Sequence, residues 1–186
     1  MFAGGSYEDD TMPVQETTVI PYKASSISEA VEILCKIYKK LPDVIRKFQG
    51  GRRPEIGAMS EYMAPSSDFT DCLDILYETA YQCRCEDKIA FHIDCAFSEI
   101  YDPRRDTYNY CGKELYLDEI IDILKRATEK YDFLYIEDPV DENDWEGWAK
   151  AAKELSRTTL CGDDLTVTNI AVSYTHLRAH ETRRHL

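Results

Sequence analysis

Hydrophobic and polar positions follow two spacings along the chain, one typical of strands and the other of helices. Short apolar or β-branched runs predict strands at residues 17–21, 89–93, 133–136 and 158–162. Apolar residues at helical spacing predict helices over about residues 28–41, 69–80, 118–131 and 144–155. Pro42 either kinks the first helix or separates it from residues 44–48.

From residue 89 onward strand and helix alternate strictly, which predicts parallel strands joined by crossover helices. Each of these three strands ends in acid, at Asp94, at Glu137 and Asp138, and at Asp163 and Asp164. Carboxylates at the C-terminal ends of successive strands suit an α/β barrel of the TIM type. A doubly wound open sheet is the alternative, but no Gly-rich phosphate loop supports it.

The three acidic strand ends favour a cation site. A single acidic residue after a strand is more often a helix cap. Three acidic residues on consecutive strands favour a metal site over three separate helix caps. Hard divalent ions take oxygen ligands, and Mg²⁺ is usually held by a few carboxylates. The sequence therefore predicts a magnesium site at this end of the strands.

Composition limits which kinds of partner and which cellular compartment the sequence predicts. The 186 residues carry a formal net charge of -13, which argues against nucleic acid as a partner. The sequence lacks a run of membrane-span length and a signal peptide at residues 1–5, so we expect a cytoplasmic protein. Seven scattered cysteines favour reduced, mostly buried thiols over a zinc site.

The end of the chain differs from the rest. Residues 172–186 hold three of the four histidines, and three arginines against one acid. This segment resembles the translation of a sequencing-library adapter. A metal-binding cluster of His176, His180 and His185 is the alternative. We therefore expect a domain over residues 1–170 and a non-native tail over residues 171–186.

Three motifs lie at the acidic strand ends. Residues 94–101 read Asp-Cys-Ala-Phe-Ser-Glu-Ile-Tyr, and residues 136–139 read Ile-Glu-Asp-Pro with Asp144-Trp145 following. Residues 162–169 read Gly-Asp-Asp-Leu-Thr-Val-Thr-Asn. These motifs resemble those of enolase, the phosphopyruvate hydratase of glycolysis. The resemblance implies a partial TIM-type barrel, the C-terminal domain of enolase, entered at its first strand and broken off after its fifth.

The resemblance also implies site residues. Asp94, Glu137 and Asp163 correspond to the Mg²⁺ ligands, and Gln15 and Glu16 to substrate-binding residues, with Glu16 also catalytic near the leaving hydroxyl. The implied reaction is the Mg²⁺-dependent dehydration of 2-phosphoglycerate to phosphoenolpyruvate, by an enzyme that is a homodimer when complete.

Two departures from the family pattern affect the proton-transfer residues. Tyr7 stands where the family has a histidine, and Ser60 stands where it has the catalytic glutamate. Glu61, one place away, is a candidate for that glutamate, although neighbouring residues of an extended chain point to opposite faces. Tyr62 replaces a glycine that gives the family's loop its fold.

The family's lysine base would lie beyond Ile170, so we expect this fragment to be inactive. The alternative is an enolase-derived binding or structural protein that kept the metal cradle and lost proton transfer. A barrel without its closing strands has unpaired edges, and we expect such a chain to aggregate or to bind hydrophobic dyes.

Overall fold

The computed structural model describes residues 1–5, 12–57 and 60–176. Tyr7, His180 and His185 lie outside the described residues, as does the side chain of His176. The predictions made for these four residues therefore stay predictions.

The described chain contains both helices and strands. The helices are α1 Ile27–Phe48, α2 Phe69–Gln82, α3 Leu117–Lys130, α4 Trp145–Glu154 and α5 Ile170–His176. The strands are β1 Phe2–Ala3, β2 Glu16–Ile20, β3 Tyr62–Met63, β4 Ala90–Asp94, β5 Tyr101–Asp102, β6 Thr107–Tyr110, β7 Lys113–Leu115, β8 Phe133–Glu137 and β9 Thr159–Cys161.

Six strands form one sheet in the order β3-β1-β2-β4-β8-β9, and β5, β6 and β7 form a small antiparallel sheet. β4, β8 and β9 are parallel to one another, as the strand–helix alternation predicted. The six-stranded sheet is open among the described residues. The fold is thus the expected partial α/β barrel.

β2 differs from an all-parallel barrel, because it is antiparallel to both β1 and β4. One helix separates β8 from β9, whereas two, α1 and α2, separate β2 from β4. One crossover helix between two strands leaves the strands parallel. A second helix reverses the chain direction once more, which makes β2 and β4 antiparallel.

α1 is one continuous helix of 22 residues that includes Pro42. The side chain of Ser26 caps it by accepting a hydrogen bond from the Glu29 amide at 3.1 Å. On either side of Pro42, Leu41 and Ile45 are fully buried. Packing of this face keeps the helix continuous despite the hydrogen bond that proline cannot make.

The two faces of the sheet have different chemistry. Ile93 of β4 and Ile136 of β8 are fully buried in the hydrophobic core. Because side chains alternate along a strand, His92 and Asp94 lie on the opposite face of β4 from Ile93, as Glu137 does from Ile136 in β8. The core therefore fixes the strands from one side and leaves a polar face on the other.

Candidate metal centre

The parallel strands bring two predicted ligands side by side. Asp94 ends β4 and Glu137 ends β8, and the two residues are partners in the register. Carboxylate oxygens of Asp94, Glu137 and Asp138 all lie within 4.8 Å of one another. We call these three residues the carboxylate cluster. No other group of three potential ligands this close occurs among residues 1–5, 12–57 and 60–176.

The carboxylate cluster is electrostatically unfavourable without a cation. Burial, together with the charges of Glu137 and Asp138, raises the pKa of Asp94 to about 7. Burial and the charge of Asp164 raise the pKa of Asp138 to about 6, and burial also raises that of Glu137. A divalent cation would offset this repulsion.

Asp138 is the member of the cluster that the sequence did not single out as a ligand. It is only 2% exposed and has a left-handed backbone, with φ of 40°. Its Oδ2 accepts a hydrogen bond from the Asp164 amide at 3.0 Å. Its Oδ1 is buried without a hydrogen-bond partner among the described residues. The signal available in the sequence was its position directly after Glu137.

Asp163, the third predicted ligand, lies beside the cluster rather than within it. Its side chain is exposed, and Oδ1 accepts a hydrogen bond from the Thr168 hydroxyl. Its charge nevertheless contributes to the raised pKa of Glu137. The role of Asp163 as a ligand stays a prediction.

The predicted substrate-binding residues are Gln15, just before β2, and Glu16, the first residue of β2. Both lie next to Asp94 of the cluster. Gln15 donates a hydrogen bond from Nε2 to Asp94 Oδ2 at 3.0 Å, and the Ala96 amide donates to Asp94 Oδ1 at 3.1 Å. Glu16 is paired with Asp94 across the antiparallel strands. Gln15 therefore helps to orient Asp94, and Glu16 lies on the same face of the sheet.

His92 is a second site residue that sequence reasoning missed. Its Nε2 lies 3.0 Å from Glu137 Oε2, and its ring stacks on Tyr135 with centroids 4.1 Å apart. Burial lowers the pKa of His92 to about 4, so the ring is neutral at pH 7. A neutral imidazole N–H that donates to Glu137 would fix the orientation of this carboxylate.

Comparison with known proteins identifies the family. Residues 1–180 match the family model described as the enolase C-terminal TIM barrel domain. The chain belongs to the enolase family. Enolase from Methanococcus aeolicus is 36% identical over 166 residues, which are 89% of this chain and 39% of that protein.

Two further enolases are similar over the same extent. Enolase from Methanocaldococcus jannaschii is 36% identical over 168 residues, or 90% of this chain and 39% of that protein. Enolase from Sulfolobus acidocaldarius is 32% identical over 167 residues, or 90% of this chain and 40% of that protein. The chain thus spans about two fifths of the length of these curated enolases. The family match runs to residue 180, and the tail boundary at residue 170 stays a prediction.

The residues aligned with the enolase catalytic glutamate lie away from the cluster. Along the sheet, Met63 is level with Ala3, Glu16 and Asp94. Glu61 precedes Met63 by two residues, toward the opposite end of the sheet. Ser60 is exposed with φ of 67°, and its carbonyl accepts a hydrogen bond from the Tyr38 hydroxyl at 2.7 Å. The structure brings neither residue to the carboxylate cluster.

The cysteines and the helices add two observations about this enolase-family chain. Cys72, Cys85 and Cys95 are buried, Cys83 and Cys161 are partly buried, and Cys35 and Cys111 are exposed, all as free thiols. Within the part of the chain that the structure describes, no helix combines the length and the apolar character needed to cross a membrane.

Proposed function

We propose that this chain forms the cation-binding part of an enolase, and that the whole protein dehydrates 2-phosphoglycerate to phosphoenolpyruvate with Mg²⁺. One observation carries the proposal. Oxygens of Asp94, Glu137 and Asp138 converge within 4.8 Å at the C-terminal ends of parallel strands. In barrel enzymes this end of the strands supplies the catalytic groups.

The residues fit a magnesium ion by their donor chemistry. Mg²⁺ prefers oxygen ligands and is held by carboxylates together with water and substrate oxygens. The cluster offers only carboxylate oxygens, and its Asp138 Oδ1 is buried with no hydrogen-bond partner in the described chain. Buried charge of one sign is costly unless it is paired with an opposite charge. We assign Asp94 and Glu137 of the cluster and the neighbouring Asp163 as the residues that hold the ion, whose charge would also offset that of the adjacent Asp138 carboxylate.

Each side chain around the ion has a distinct task in this proposal. A bound Mg²⁺ supplies positive charge that stabilises the negative charge developing on the substrate carboxylate when the adjacent proton leaves. Gln15 and His92 hold Asp94 and Glu137 in place through their hydrogen bonds. Glu16, on the same face, binds substrate and serves departure of the hydroxyl.

We also propose that the chain by itself does not turn over substrate. Proton abstraction needs a base within hydrogen-bond reach of the reacting carbon's proton. Lys88 precedes β4 and bonds Glu29, and the Lys23 amide bonds the Lys88 carbonyl. Both lysines therefore lie at the end of β4 opposite to Asp94, too far to act there.

A second function, that of an enolase-derived binding or structural protein, is favoured by residues 60 and 61. Ser60 replaces the family's catalytic glutamate, and Glu61 lies two residues from the level of the cluster. A protein with this arrangement would keep the cation and lose proton transfer.

Calorimetric titration of Mg²⁺ tests the metal centre. We expect the chain to bind Mg²⁺ and the double variant Asp94→Ala, Glu137→Ala to lose binding, because it lacks two of the three proposed ligands. Equal affinity of the two proteins would overturn the assignment.

Ultraviolet absorbance of the enolpyruvate product tests catalysis. We expect no product from the chain and 2-phosphoglycerate at saturating Mg²⁺, and product from the full-length protein. A full-length protein that binds Mg²⁺ but gives a flat trace would leave the binding or structural function.

The proposal includes the cytoplasm as the compartment and a homodimer as the complete assembly. The free cysteines, seven in all, fit a reducing compartment. The family resemblance is the support for the homodimer.

A further inference from the structure

Asp138 connects three neighbouring segments through its backbone. Its amide donates a hydrogen bond to the Cys161 carbonyl of β9 at 3.0 Å. Its carbonyl accepts one from the Phe97 amide, in the turn after β4, at 3.1 Å. With φ of 40° and a following proline, the chain leaves the strand sharply at this residue. The position of Asp138 is thus fixed relative to β4 and β9.

Its side chain holds the turn that follows β9. The carboxylate Oδ2 accepts a hydrogen bond from the Asp164 amide at 3.0 Å. The amides of Asp163 and Leu165 also stabilise its charged form. Successive amides directed at one anion form a nest, which fixes the backbone that contributes them.

We propose that Asp138 is a positioning residue that fixes the turn carrying Asp163, so that this exposed carboxylate reaches the ion held by Asp94 and Glu137. The inference rests on the proposed cation site. It explains why Asp138 lies in the cluster although one of its oxygens is already engaged by a backbone amide. Because Asp138 directly follows Glu137, it couples the ligand of one strand to that of the next.

The Asp163 side chain needs such support. It is exposed, and its Oδ1 accepts a hydrogen bond from the Thr168 hydroxyl, within the same segment. Its position relative to β8 is therefore set by the backbone of residues 163–165. Asp138 is 2% exposed, so its hydrogen bond from the Asp164 amide is shielded from water.

Substitutions at residue 138 test the proposal, with Asp164→Asn as the control. The control removes one nearby negative charge and leaves the Asp164 amide free to bond Asp138. We expect Asp138→Asn, whose carbonyl still accepts the amide, to bind Mg²⁺ within about 3-fold of the control. We expect Asp138→Ala to bind about 30-fold more weakly than the control, within the range for lost outer-sphere partners.

Hydrogen exchange of the Asp164 amide gives a readout that is independent of the ion. Without Mg²⁺, we expect this amide to exchange at least about 10-fold faster in Asp138→Ala than in the unsubstituted chain, and to stay protected in Asp138→Asn. If Asp138→Ala does not fold, Asp138→Ser, with a shorter acceptor, replaces it in both measurements.

Three results would overturn the inference. Asp138→Ala could match the control in Mg²⁺ affinity, or leave the exchange of the Asp164 amide unchanged. Asp138→Asn could bind as weakly as Asp138→Ala, which would make the charge of Asp138 a direct ligand. If the unsubstituted chain binds no Mg²⁺, the proposed cation site fails, and the exchange rates still decide whether Asp138 fixes the turn.

Discussion

Two regions of the same sheet carry candidate carboxylates, and they differ in how close these carboxylates lie to one another. At the ends of β4 and β8, Asp94 and Glu137 lie side by side and share a cluster with Asp138. Glu61 directly precedes β3, and β1 and β2 lie between β3 and β4 in the sheet. It is two residues before Met63, the residue of β3 that is in register with Asp94. Both regions carry a carboxylate that the sequence made a site candidate, and of the two only the first brings several carboxylates within 4.8 Å of one another.

Register and strand direction account for this difference. The ends of parallel strands that are joined by single helices meet at one edge, so carboxylates placed there converge. β3 has only two residues and pairs with β1, which leaves Glu61 outside the strand. Acidic composition alone therefore does not make a site, and the position of each acid in the register does.

The largest expected effect comes from removing the packing beneath the cluster. Ile136, which directly precedes Glu137 in the sequence, is fully buried on the core face of β8. Ile136→Ala should therefore lower the free energy of unfolding by about 4 kcal/mol. Urea unfolding without metal measures this change. Leu134→Ala, at a residue of the same strand that is 42% exposed, is the matched control and should cost about 1 kcal/mol or less. Equal costs would contradict the burial of Ile136 in the core.

A pair of neutral substitutions compares the two acidic segments directly. Glu137→Gln removes a charge from the cluster and should weaken Mg²⁺ binding by about 100-fold. Glu61→Gln removes a charge away from the cluster and should change the affinity by less than about 2-fold. Calorimetric titration of both variants gives the comparison. A loss in Glu61→Gln as large as that in Glu137→Gln would bring Glu61 into the metal centre.

The metal-free chain should become less stable as pH rises. The pKa of Asp94 is raised in the folded chain from its usual 3.8 to about 7, so the unfolded chain loses this proton first. The free energy of unfolding should therefore fall between those two pH values, by on the order of 2 kcal/mol for this partly solvated group. Urea unfolding with a chelator, at about pH 5 and about pH 8, measures it.

Two controls sharpen the pH experiment. Asp94→Asn should reduce the dependence, because the amide does not titrate, and saturating Mg²⁺ should also reduce it by pairing the charge. A slope that persists unchanged in Asp94→Asn would assign the effect to other groups.

The smallest expected effect belongs to Gln15. Its hydrogen bond orients Asp94, a proposed ligand, so Gln15→Ala should weaken Mg²⁺ binding by about 5-fold, equivalent to about 1 kcal/mol. Gln15→Glu tests the contact from the other side, because a carboxylate cannot donate to Asp94. An affinity unchanged in Gln15→Ala would show that the Ala96 amide alone holds Asp94 in place.

The strands and helices around the cluster could be predicted from hydrophobic spacing. The apolar runs that end at Asp94 and Glu137 are strands, and the helices between them have the expected buried face, as at Ile120 and Leu124 of α3. Strict alternation was enough to predict that β4, β8 and β9 are parallel. The convergence of Asp94 and Glu137 follows from that direction.

Other features depend on tertiary contacts that a single sequence does not reveal. The antiparallel β2 depends on how α1 and α2 fold back, and the small sheet lies in a stretch where hydrophobic spacing predicted neither a strand nor a helix. The inward position of Asp138 depends on a left-handed φ, which the sequence alone does not predict for this aspartate. The contact of His92 with Glu137 depends on the register between two strands.

His92 also provides a spectroscopic probe within the sheet. It is the one histidine whose side chain lies in the described part of the chain, and its ring touches Glu137 on one side and Tyr135 on another. The ring-proton and nitrogen resonances of a neutral imidazole respond to the charge on its hydrogen-bond partner. Selective isotope labelling of histidine would therefore follow the charge of the neighbouring carboxylates through the His92 signal, once this signal is assigned among those of the four histidines.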